Sequence, residues 1–258
     1  MLTALLAESF PDRVTDVVDI DAGRGWMLMR DAGIRMRELE GAGLAEWGAV
    51  LPLYAEIQIG MAPRIAELLE LGVSDQRLAG LADEVEALLD DDGALLLDEP
   101  EGLTSEQRED LRARMPELRG LVAQLQAAGI PETIQHDDLH DGQVFVRDGR
   151  HVIADWGDSC ISHPFHTLTV TLRALAWRHG LEPGAEALSR LRDAYLEPYG
   201  TPAPVADLAY RTGTLARALA WHRHMQTREP EHWERDDAES VPYGLRLFLE
   251  AGPIGAWE

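Results

Sequence analysis

The sequence contains no lysine and no asparagine, so arginine supplies all 23 of its permanently basic side chains. Because these 258 residues contain no lysine, they cannot supply the lysine of a Schiff base, of a Walker phosphate loop or of a kinase phosphate site. The single cysteine, Cys160, excludes an internal disulfide and a zinc site built from several thiolates.

Long apolar runs and a basic leader segment are also missing. No uninterrupted apolar run approaches the roughly 20 residues that a helix needs to cross a bilayer. The first residues, MLTALLAESFPDR, lack the positive charge that opens a secretory signal peptide. The sequence therefore predicts a soluble cytoplasmic protein with no membrane partner.

Positive charge is scarce relative to negative charge, with 46 acidic residues and a formal net charge of -23 at pH 7. Nucleic acid is not expected as a partner, because phosphate binding requires a basic face. The 258 residues, 45% of them hydrophobic, are enough for one large or two small folded domains.

The pattern of the first forty residues predicts a short helix and a β-hairpin. Residues 1–10 have the character of a helix that ends before Pro11, because a residue preceding proline disfavours helical geometry. Two short apolar runs, 14–20 and 26–29, flank the connection DAGRG, whose glycines and aspartate favour a hairpin.

Residues 39–129 have helical periodicity, and the last of three predicted helices there opens with a capping box of Thr104 and Gln107 and runs to Gly129. The chain returns to helices after Pro164. Regular alternation of strands and helices is missing, so we predict an α+β fold and not a doubly wound nucleotide-binding fold.

Residues 133–156, TIQHDDLHDGQVFVRDGRHVIADW, predict a buried hairpin between these helical regions. Asp148 and Gly149 form a strong two-residue turn signal between β-rich flanks. The resulting register places Val146 opposite His151 and brings the loop 136–142 beside Asp155.

Several carboxylates are expected to converge at the open end of this hairpin: Asp137, Asp138, Asp141, Asp155 and Asp158. Like charges at one strand end repel one another, so we expect a cation to compensate them. Oxygen ligands with few nitrogens favour magnesium over zinc. A carboxylate that orients a hydroxyl, followed by oxygen ligands for a metal, is the arrangement that phosphoryl transfer requires.

The two segments HDDLHDGQ (136–143) and IADWGD (153–158) resemble the catalytic and metal-binding motifs of the aminoglycoside phosphotransferase and choline kinase-like family. The resemblance extends from Trp26 to the end of the chain. It implies a protein-kinase-like fold with a mostly helical C-terminal lobe (34–258) that carries the catalytic hairpin, and a small remnant of the N-terminal β lobe with the hinge (1–33).

The resemblance also implies roles for individual residues. Asp138 would be the catalytic base, and His136 would brace its loop through hydrogen bonds. Asp155 would be the principal Mg²⁺ ligand, and Gln143 would be a second ligand at a position where the family usually has asparagine. His140 would have a structural or local electrostatic role.

The segment GWMLMRDAG (25–33) resembles the hinge of the family, in which the backbone of Arg30 and Ala32 would meet the adenine edge of ATP. The glycine-rich loop and the lysine that precede this hinge in such kinases are missing from the residues before Trp26. We therefore expect a chain in which the amino-terminal lobe is largely absent, and the apolar surface exposed there makes a homodimer one open possibility.

The implied function is ATP- and Mg²⁺-dependent phosphorylation of a hydroxyl group on a small molecule. Two alternatives stay open, a catalytically silent kinase-like binding module and a metal-assisted phosphohydrolase. The acidic stretch 229–239 would suit a cationic substrate, although a solvated surface explains it as well. Core packing is the preferred interpretation of Trp221, His222 and His224, with a position at the border of a substrate pocket as the alternative. The Cys160 thiol is interpreted as inert.

Overall fold

The computed structural model describes residues 1–41, 43–227 and 235–250 of the chain. Its α-helices are α1 (Leu2–Ser9), α2 (Leu44–Met61), α3 (Ile65–Glu70), α4 (Leu78–Leu88), α5 (Ser105–Ala113), α6 (Met115–Ala127), α7 (Thr167–His179), α8 (Glu186–Leu196), α9 (Ala203–Gln226) and α10 (Arg235–Glu250). Its strands are β1 (Val17–Asp21), β2 (Trp26–Met29), β3 (Ile34–Arg35), β4 (Ser74–Asp75), β5 (Thr133–Gln135), β6 (Val144–Arg147), β7 (Arg150–Ile153) and β8 (Cys160–Ser162).

The predicted amino-terminal helix and hairpin are both present. Helix α1 ends at Ser9, before Pro11, and β1 pairs with β2 in antiparallel register, with Asp21 opposite Trp26. Every residue of β2 is exposed, and the Trp26 side chain is among the most accessible large apolar groups. This two-stranded sheet therefore stands out from the helical body instead of contributing to its core.

The core is made by helices that pack around α2. Trp47, Leu51 and Tyr54 point from α2 into the interior and are almost completely inaccessible to solvent. Helix α2 packs closely on α8 and β5, and α9 packs on α6, α7 and α10. Burial of these large side chains, at roughly 1.5–3 kcal/mol each, is the main force that holds the helical lobe together.

The helix predicted from residue 105 to Gly129 is interrupted. Its start is confirmed, because the Thr104 hydroxyl accepts the Gln107 backbone N–H at 3.1 Å and the Gln107 side chain accepts the Thr104 N–H at 3.0 Å. The helix ends at Ala113, and α6 begins at Met115. Pro116 explains the break, because proline has no N–H to donate and its ring clashes with the preceding turn.

The buried hairpin forms with the predicted register. Strands β6 and β7 pair antiparallel with Val146 opposite His151, and β3 completes a three-stranded sheet along the other edge of β6. Asp148 and Gly149 both have positive φ, as the tight two-residue turn requires.

A second small sheet positions the site from the other side. Its order is β4-β8-β5, with β5 antiparallel and β4 parallel to β8. The chain passes from β5 to β6 through residues 136–143 and from β7 to β8 through residues 154–159. Both connections run between the same two sheets, so the two motif segments lie side by side.

The predicted fold class is confirmed as α+β, with a mostly helical body that carries the β6–β7 hairpin. The division of the chain into an N-terminal remnant with the hinge (1–33) and a helical lobe (34–258) stays a prediction. Among the residues described, no helix combines the length and apolar character needed to span a membrane.

Candidate active site

His136 begins the first motif and is completely buried. Its ring Nε2 donates to the Ala154 carbonyl at 2.8 Å, and its Nδ1 accepts the Asp138 backbone N–H at 3.3 Å. Burial lowers the pKa of His136, although the Ala154 carbonyl opposes this effect, so the ring is neutral at neutral pH. The ring thereby joins the two motif segments, and its bracing role in catalysis stays a prediction.

Tyr54 of α2 fixes the same loop from beneath. Its buried hydroxyl accepts the His136 backbone N–H at 2.8 Å and donates to the Gln135 side chain at 3.3 Å. The next residue, Asp137, has a φ of 66°, a left-handed conformation that side-chain-bearing residues rarely adopt. A sharp turn supported by a buried hydroxyl therefore presents Asp138 toward solvent.

The Asp138 carboxylate is held by three side chains and is 28% exposed. His140 Nε2 and Gln143 Nε2 each lie 3.3 Å from its Oδ2, and Arg217 Nη2 lies 3.5 Å from its Oδ1. Burial raises the pKa of Asp138, but the His140 hydrogen bond and the Arg217 charge outweigh burial and bring this pKa below its ordinary value. Asp138 is therefore an ionised, accessible carboxylate at neutral pH.

His140 is oriented by donors on its other nitrogen. Its Nδ1 accepts the Gly142 N–H at 2.9 Å and an Arg37 N–H at 2.9 Å, which leaves the proton on Nε2, facing Asp138. Arg37 also lies 3.4 Å from Asp141, which pairs with Arg178 at 2.6 Å. His140 is therefore a hydrogen-bond donor to the candidate base, and Asp141 belongs to an ion-pair group on the Arg37 side of the loop.

Arg217 of α9 is a residue that the sequence analysis did not identify. Its Nη1 donates to both the backbone carbonyl and the Oδ2 of Asp137, each at 2.8 Å. Burial raises the pKa of Asp137 to about 6 against the opposing charge of Arg217. Arg217 carries no sequence motif, and its position is set by the packing of α9, 80 residues along the chain from Asp137.

The expectation that five carboxylates converge on one cation is corrected by these contacts. Arginines neutralise Asp137, Asp138 and Asp141, and no group of three or more His, Cys, Asp or Glu residues within 1–41, 43–227 and 235–250 is arranged to hold a metal ion. The sequence pattern showed the carboxylates but could not show guanidinium groups that arrive from distant helices.

Asp155 and Asp158 differ from the other carboxylates of the motifs. Both are exposed, and neither forms an ion pair with the part of the chain that the structure describes. Asp155 follows β7 in a left-handed conformation, and Ala154 N–H donates to the Gln143 carbonyl at 2.9 Å, which keeps the two segments in register. The amide nitrogen of Gln143 faces Asp138, so its amide oxygen is the end left for a ligand.

This donor set fits magnesium. Mg²⁺ is ordinarily held by one or two carboxylates together with water and substrate phosphates, and it does not need a complete cage of protein ligands. Asp155, Asp158 and the Gln143 amide oxygen offer such a partial set. Asp155 and Gln143 are the two metal ligands expected from the sequence, and their role stays a prediction.

At Arg30 the structure limits the predicted adenine contact to the backbone carbonyl. Its backbone N–H already donates to the Asp16 carbonyl at 2.9 Å, so the Arg30 carbonyl is the group that would meet an adenine edge. Ala32 lies between β2 and β3 and is half-buried. Neither residue lines a cleft described below, and their nucleotide contacts stay a prediction.

Two clefts meet at Asp138, Arg217 and Trp221. The first, which we call the aromatic cleft, has a volume of about 400 Å³ and lies between the loop 136–142 and helices α7, α9 and α10. Its lining residues are Asp138, His140, Val170, Arg173, Ala174, Trp177, Thr214, Arg217, Trp221, Ser240, Tyr243 and Gly244. The second, which we call the acidic cleft, measures about 610 Å³; its lining is Gly72, Ser74, Gln76, Asp137, Asp138, Gly157, Asp158, Ser159, Arg217, Ala220, Trp221, Arg223, His224, Thr227 and Asp237.

The clefts revise the interpretation of the α9 aromatic residues. Trp221 packs partly against the core but also lines both clefts, and His224 lines the acidic cleft. His222 instead approaches Asp91 at 3.4 Å.

Burial raises the pKa of the Cys160 thiol well above its ordinary value, in agreement with an inert thiol. Most of the acidic stretch 229–239 lies outside the described residues, and Asp237 lines the acidic cleft.

The paired motif segments, the small sheets and the helical lobe define a kinase-like phosphotransferase fold. A profile of the Phosphotransferase enzyme family matches residues 36–208, more than half of the chain. The chain therefore belongs to this family, and the resemblance seen in its motifs is confirmed. A search of curated proteins gave no match.

Solved structures share this fold. A choline/ethanolamine kinase family protein from Mesorhizobium loti is 14% identical with a TM-score of 0.60, and the match covers 96% of this chain and 76% of that one. An amicoumacin kinase solved with AMP-PNP and Ca²⁺ is 14% identical with a TM-score of 0.59, covering 98% and 77%. A Streptomyces rimosus aminoglycoside phosphotransferase with ADP and streptomycin is 15% identical with a TM-score of 0.51, covering 83% and 79%.

Proposed function

We propose that the chain is a Mg²⁺- and ATP-dependent phosphotransferase that phosphorylates a hydroxyl group of a small molecule. The observation that supports this function most directly is the ionised Asp138 carboxylate at the wall shared by two clefts. Membership of a phosphotransferase family and fold neighbours solved with AMP-PNP or ADP agree with it.

Asp138 is proposed as the residue that orients and deprotonates the acceptor. His140 and Gln143 both contact its Oδ2, whereas Oδ1 has one longer contact, with Arg217 at 3.5 Å, so Oδ1 is the oxygen proposed to accept a hydrogen bond from the acceptor hydroxyl. As the hydroxyl oxygen bonds to the γ-phosphorus of ATP, the bond from that phosphorus to the bridging oxygen breaks and ADP leaves, while the hydroxyl proton passes to Asp138. A carboxylate with a low pKa is suited to this role, because phosphoryl transfer depends more on positioning and charge stabilisation than on a strong base.

Asp155 and Gln143 are proposed to hold Mg²⁺, with Asp158 as a further oxygen donor. When bound with the nucleotide, the ion neutralises negative charge on the phosphate oxygens. The Arg30 carbonyl and the Ala32 backbone are proposed to meet the adenine, with residues 1–33 on the nucleotide side and 34–258 as the helical lobe. His136 holds the catalytic loop against the metal-binding segment through the Ala154 carbonyl.

The proposal is tested by measuring ADP formation from Mg²⁺-ATP with and without a mixture of small alcohols that includes choline, streptomycin and aromatic alcohols. We expect the alcohols to stimulate ADP formation by the full chain. In the variant Asp138→Ala the stimulated rate should be about 10²–10⁴-fold lower, because a positioned acid-base group usually contributes a factor of that size. Asp83→Ala, which removes an exposed carboxylate from α4, is the matched control and should keep the wild-type rate.

The two alternative functions give different results in the same experiment. A phosphohydrolase would release phosphate at one rate whether or not an alcohol is present. A silent binding module would form no ADP and would show no Mg²⁺-ATP binding by calorimetry. Undiminished stimulated turnover by Asp138→Ala would contradict the assignment of the catalytic residue.

A further inference from the structure

The aromatic cleft differs in charge from the protein as a whole. The chain has a formal net charge of -23, yet the lining of this cleft contains one carboxylate, Asp138, and two guanidinium groups, Arg173 and Arg217. Charges farther apart than about 8–10 Å are largely screened at physiological salt, so these local groups determine which ligand charge is tolerated.

The two arginines have different roles. Arg217 is neutralised by its contacts with Asp137 and Asp138. Arg173, on α7, forms no ion pair within residues 1–41, 43–227 and 235–250, and its Nε is buried without a hydrogen-bond partner there. Its guanidinium carbon lies 4.8 Å from the centre of the Tyr243 ring on α10. The cation therefore packs on an aromatic face, and its guanidinium donates no hydrogen bond to the residues that the structure describes.

The other walls of the cleft are flat aromatic surfaces. The Trp177 side chain is 69% exposed, although tryptophan is usually well buried. Trp221 stands on the opposite helix, α9, with the Arg217 guanidinium carbon 5.0 Å from its ring centre. Small-molecule sites are typically concave surfaces of about 300–1,000 Å³, and the volume of this cleft, about 400 Å³, lies in that range.

From this geometry we infer that the aromatic cleft is the acceptor site and that the acceptor is a flat, aromatic or apolar alcohol that carries an anionic group such as a carboxylate. The inference rests on the proposed function and specifies its substrate class. The ring lies between Trp177 and Trp221, the hydroxyl meets Asp138, and the anion takes the terminal Nη donors of Arg173. Guanidinium and carboxylate groups form strong, often bidentate hydrogen bonds, which makes Arg173 a specificity-determining residue.

A polycationic acceptor does not fit this cleft. Each ammonium group would face Arg173 and Arg217 with one lining carboxylate, Asp138, to balance it. That carboxylate already accepts hydrogen bonds from His140 and Gln143. The expectation of a cationic substrate, drawn from the acidic stretch 229–239, is therefore not supported by the charges of the aromatic cleft.

The experiment uses three aromatic alcohols that share one skeleton and differ in charge: a hydroxymethyl naphthoate, its carboxamide and its aminomethyl counterpart. Their binding to the full chain is measured by calorimetry without ATP. We expect the carboxylate to bind about tenfold or more tightly than the carboxamide, and the amine to bind most weakly. Arg173→Met should remove the preference for the carboxylate, and Arg173→Lys should restore part of it.

Arg190→Met is the matched control, because it removes an exposed guanidinium of α8 that does not line the cleft. This variant should keep the wild-type preference. Tighter binding of the amine, equal binding of all three compounds, or binding of none overturns the inference, as does an unchanged preference in Arg173→Met. Binding without ATP tests the acceptor class alone, whereas failure of Mg²⁺-ATP to phosphorylate the bound carboxylate alcohol would instead contradict the proposed function.

Discussion

The pairing of Arg217 with Asp137 gives a prediction about stability that can be worked out from the structure. Both side chains are largely buried, with exposed fractions of 18% and 11%. Replacing Arg217 with Met keeps most of the apolar volume but leaves the Asp137 carboxylate without its cation. Removing one member of a buried ion pair typically costs about 3–5 kcal/mol, because the remaining charge stays desolvated.

The pH dependence of this loss identifies its cause. The pKa of Asp137 rises from its ordinary 3.8 to about 6 on folding, so the folded chain holds this proton more tightly than the unfolded chain. The protonated Asp137 side chain therefore makes its full contribution to stability below pH 4. This contribution, about 3 kcal/mol for a pKa difference of about two units between folded and unfolded chains, is lost as the pH rises to 6. Without Arg217 this pKa rises further, and the loss continues above pH 6.

The assay is urea unfolding at pH 5 and pH 7.5, followed by tryptophan fluorescence. The decrease in the free energy of unfolding caused by Arg217→Met should be about 1–2 kcal/mol greater at pH 7.5 than at pH 5, because Asp137 is protonated in both proteins at the lower pH. In the Asp137→Asn background, the loss caused by Arg217→Met should be the same at both pH values, because the titrating carboxylate is absent. Arg190→Met, which breaks an exposed pair, should change little at either pH. Equal losses for Arg217→Met at both pH values would refute the reasoning.

Two further substitutions test the support of the loop 136–143, and a third tests helix propensity in α6. Tyr54→Phe removes the hydroxyl that accepts the His136 N–H, so we expect about 1–3 kcal/mol less stability in urea unfolding and a lower kcat with the KM for the acceptor unchanged; wild-type kcat would contradict this. Gly142→Ala would place a Cβ against the Arg37 guanidinium and displace it from His140 Nδ1, so turnover should fall, and full turnover would contradict a role for this contact. Gly120→Ala, in open space on α6, should raise stability by about 0.5–1 kcal/mol, and a loss would contradict the helix-propensity argument.

Local signals in the sequence were enough to predict the catalytic hairpin. Asp148 and Gly149 tolerate the positive φ of a tight turn, and alternation in the flanks sets the register from that turn. The capping box of Thr104 and Gln107 likewise marked the start of α5. The break at Arg114 is not evident from the leucine pattern, because its helical periodicity continues from Leu111 to Leu118 across Pro116.

The electrostatics of the site could not be predicted in the same way. The carboxylates are adjacent in the sequence, but Arg217 reaches Asp137 only because α9 packs over the loop, and Arg37 reaches His140 across 103 residues. Arg173 and Trp177 carry no motif, and they line the aromatic cleft only because α7, α9 and α10 pack around it. Charge compensation and ligand specificity are thus properties of helix packing, which periodicity alone does not determine.

The central claim is that the Asp138 carboxylate acts in phosphoryl transfer while other groups bind the nucleotide. The most direct measurement is the single-turnover rate of phosphoryl transfer by Asp138→Asn, with Mg²⁺-ATP and the acceptor at saturation. We predict wild-type affinity for Mg²⁺-AMP-PNP and a transfer rate about 10²–10⁴ lower, because asparagine keeps the shape but cannot accept the proton. A wild-type transfer rate in this variant would contradict the claim.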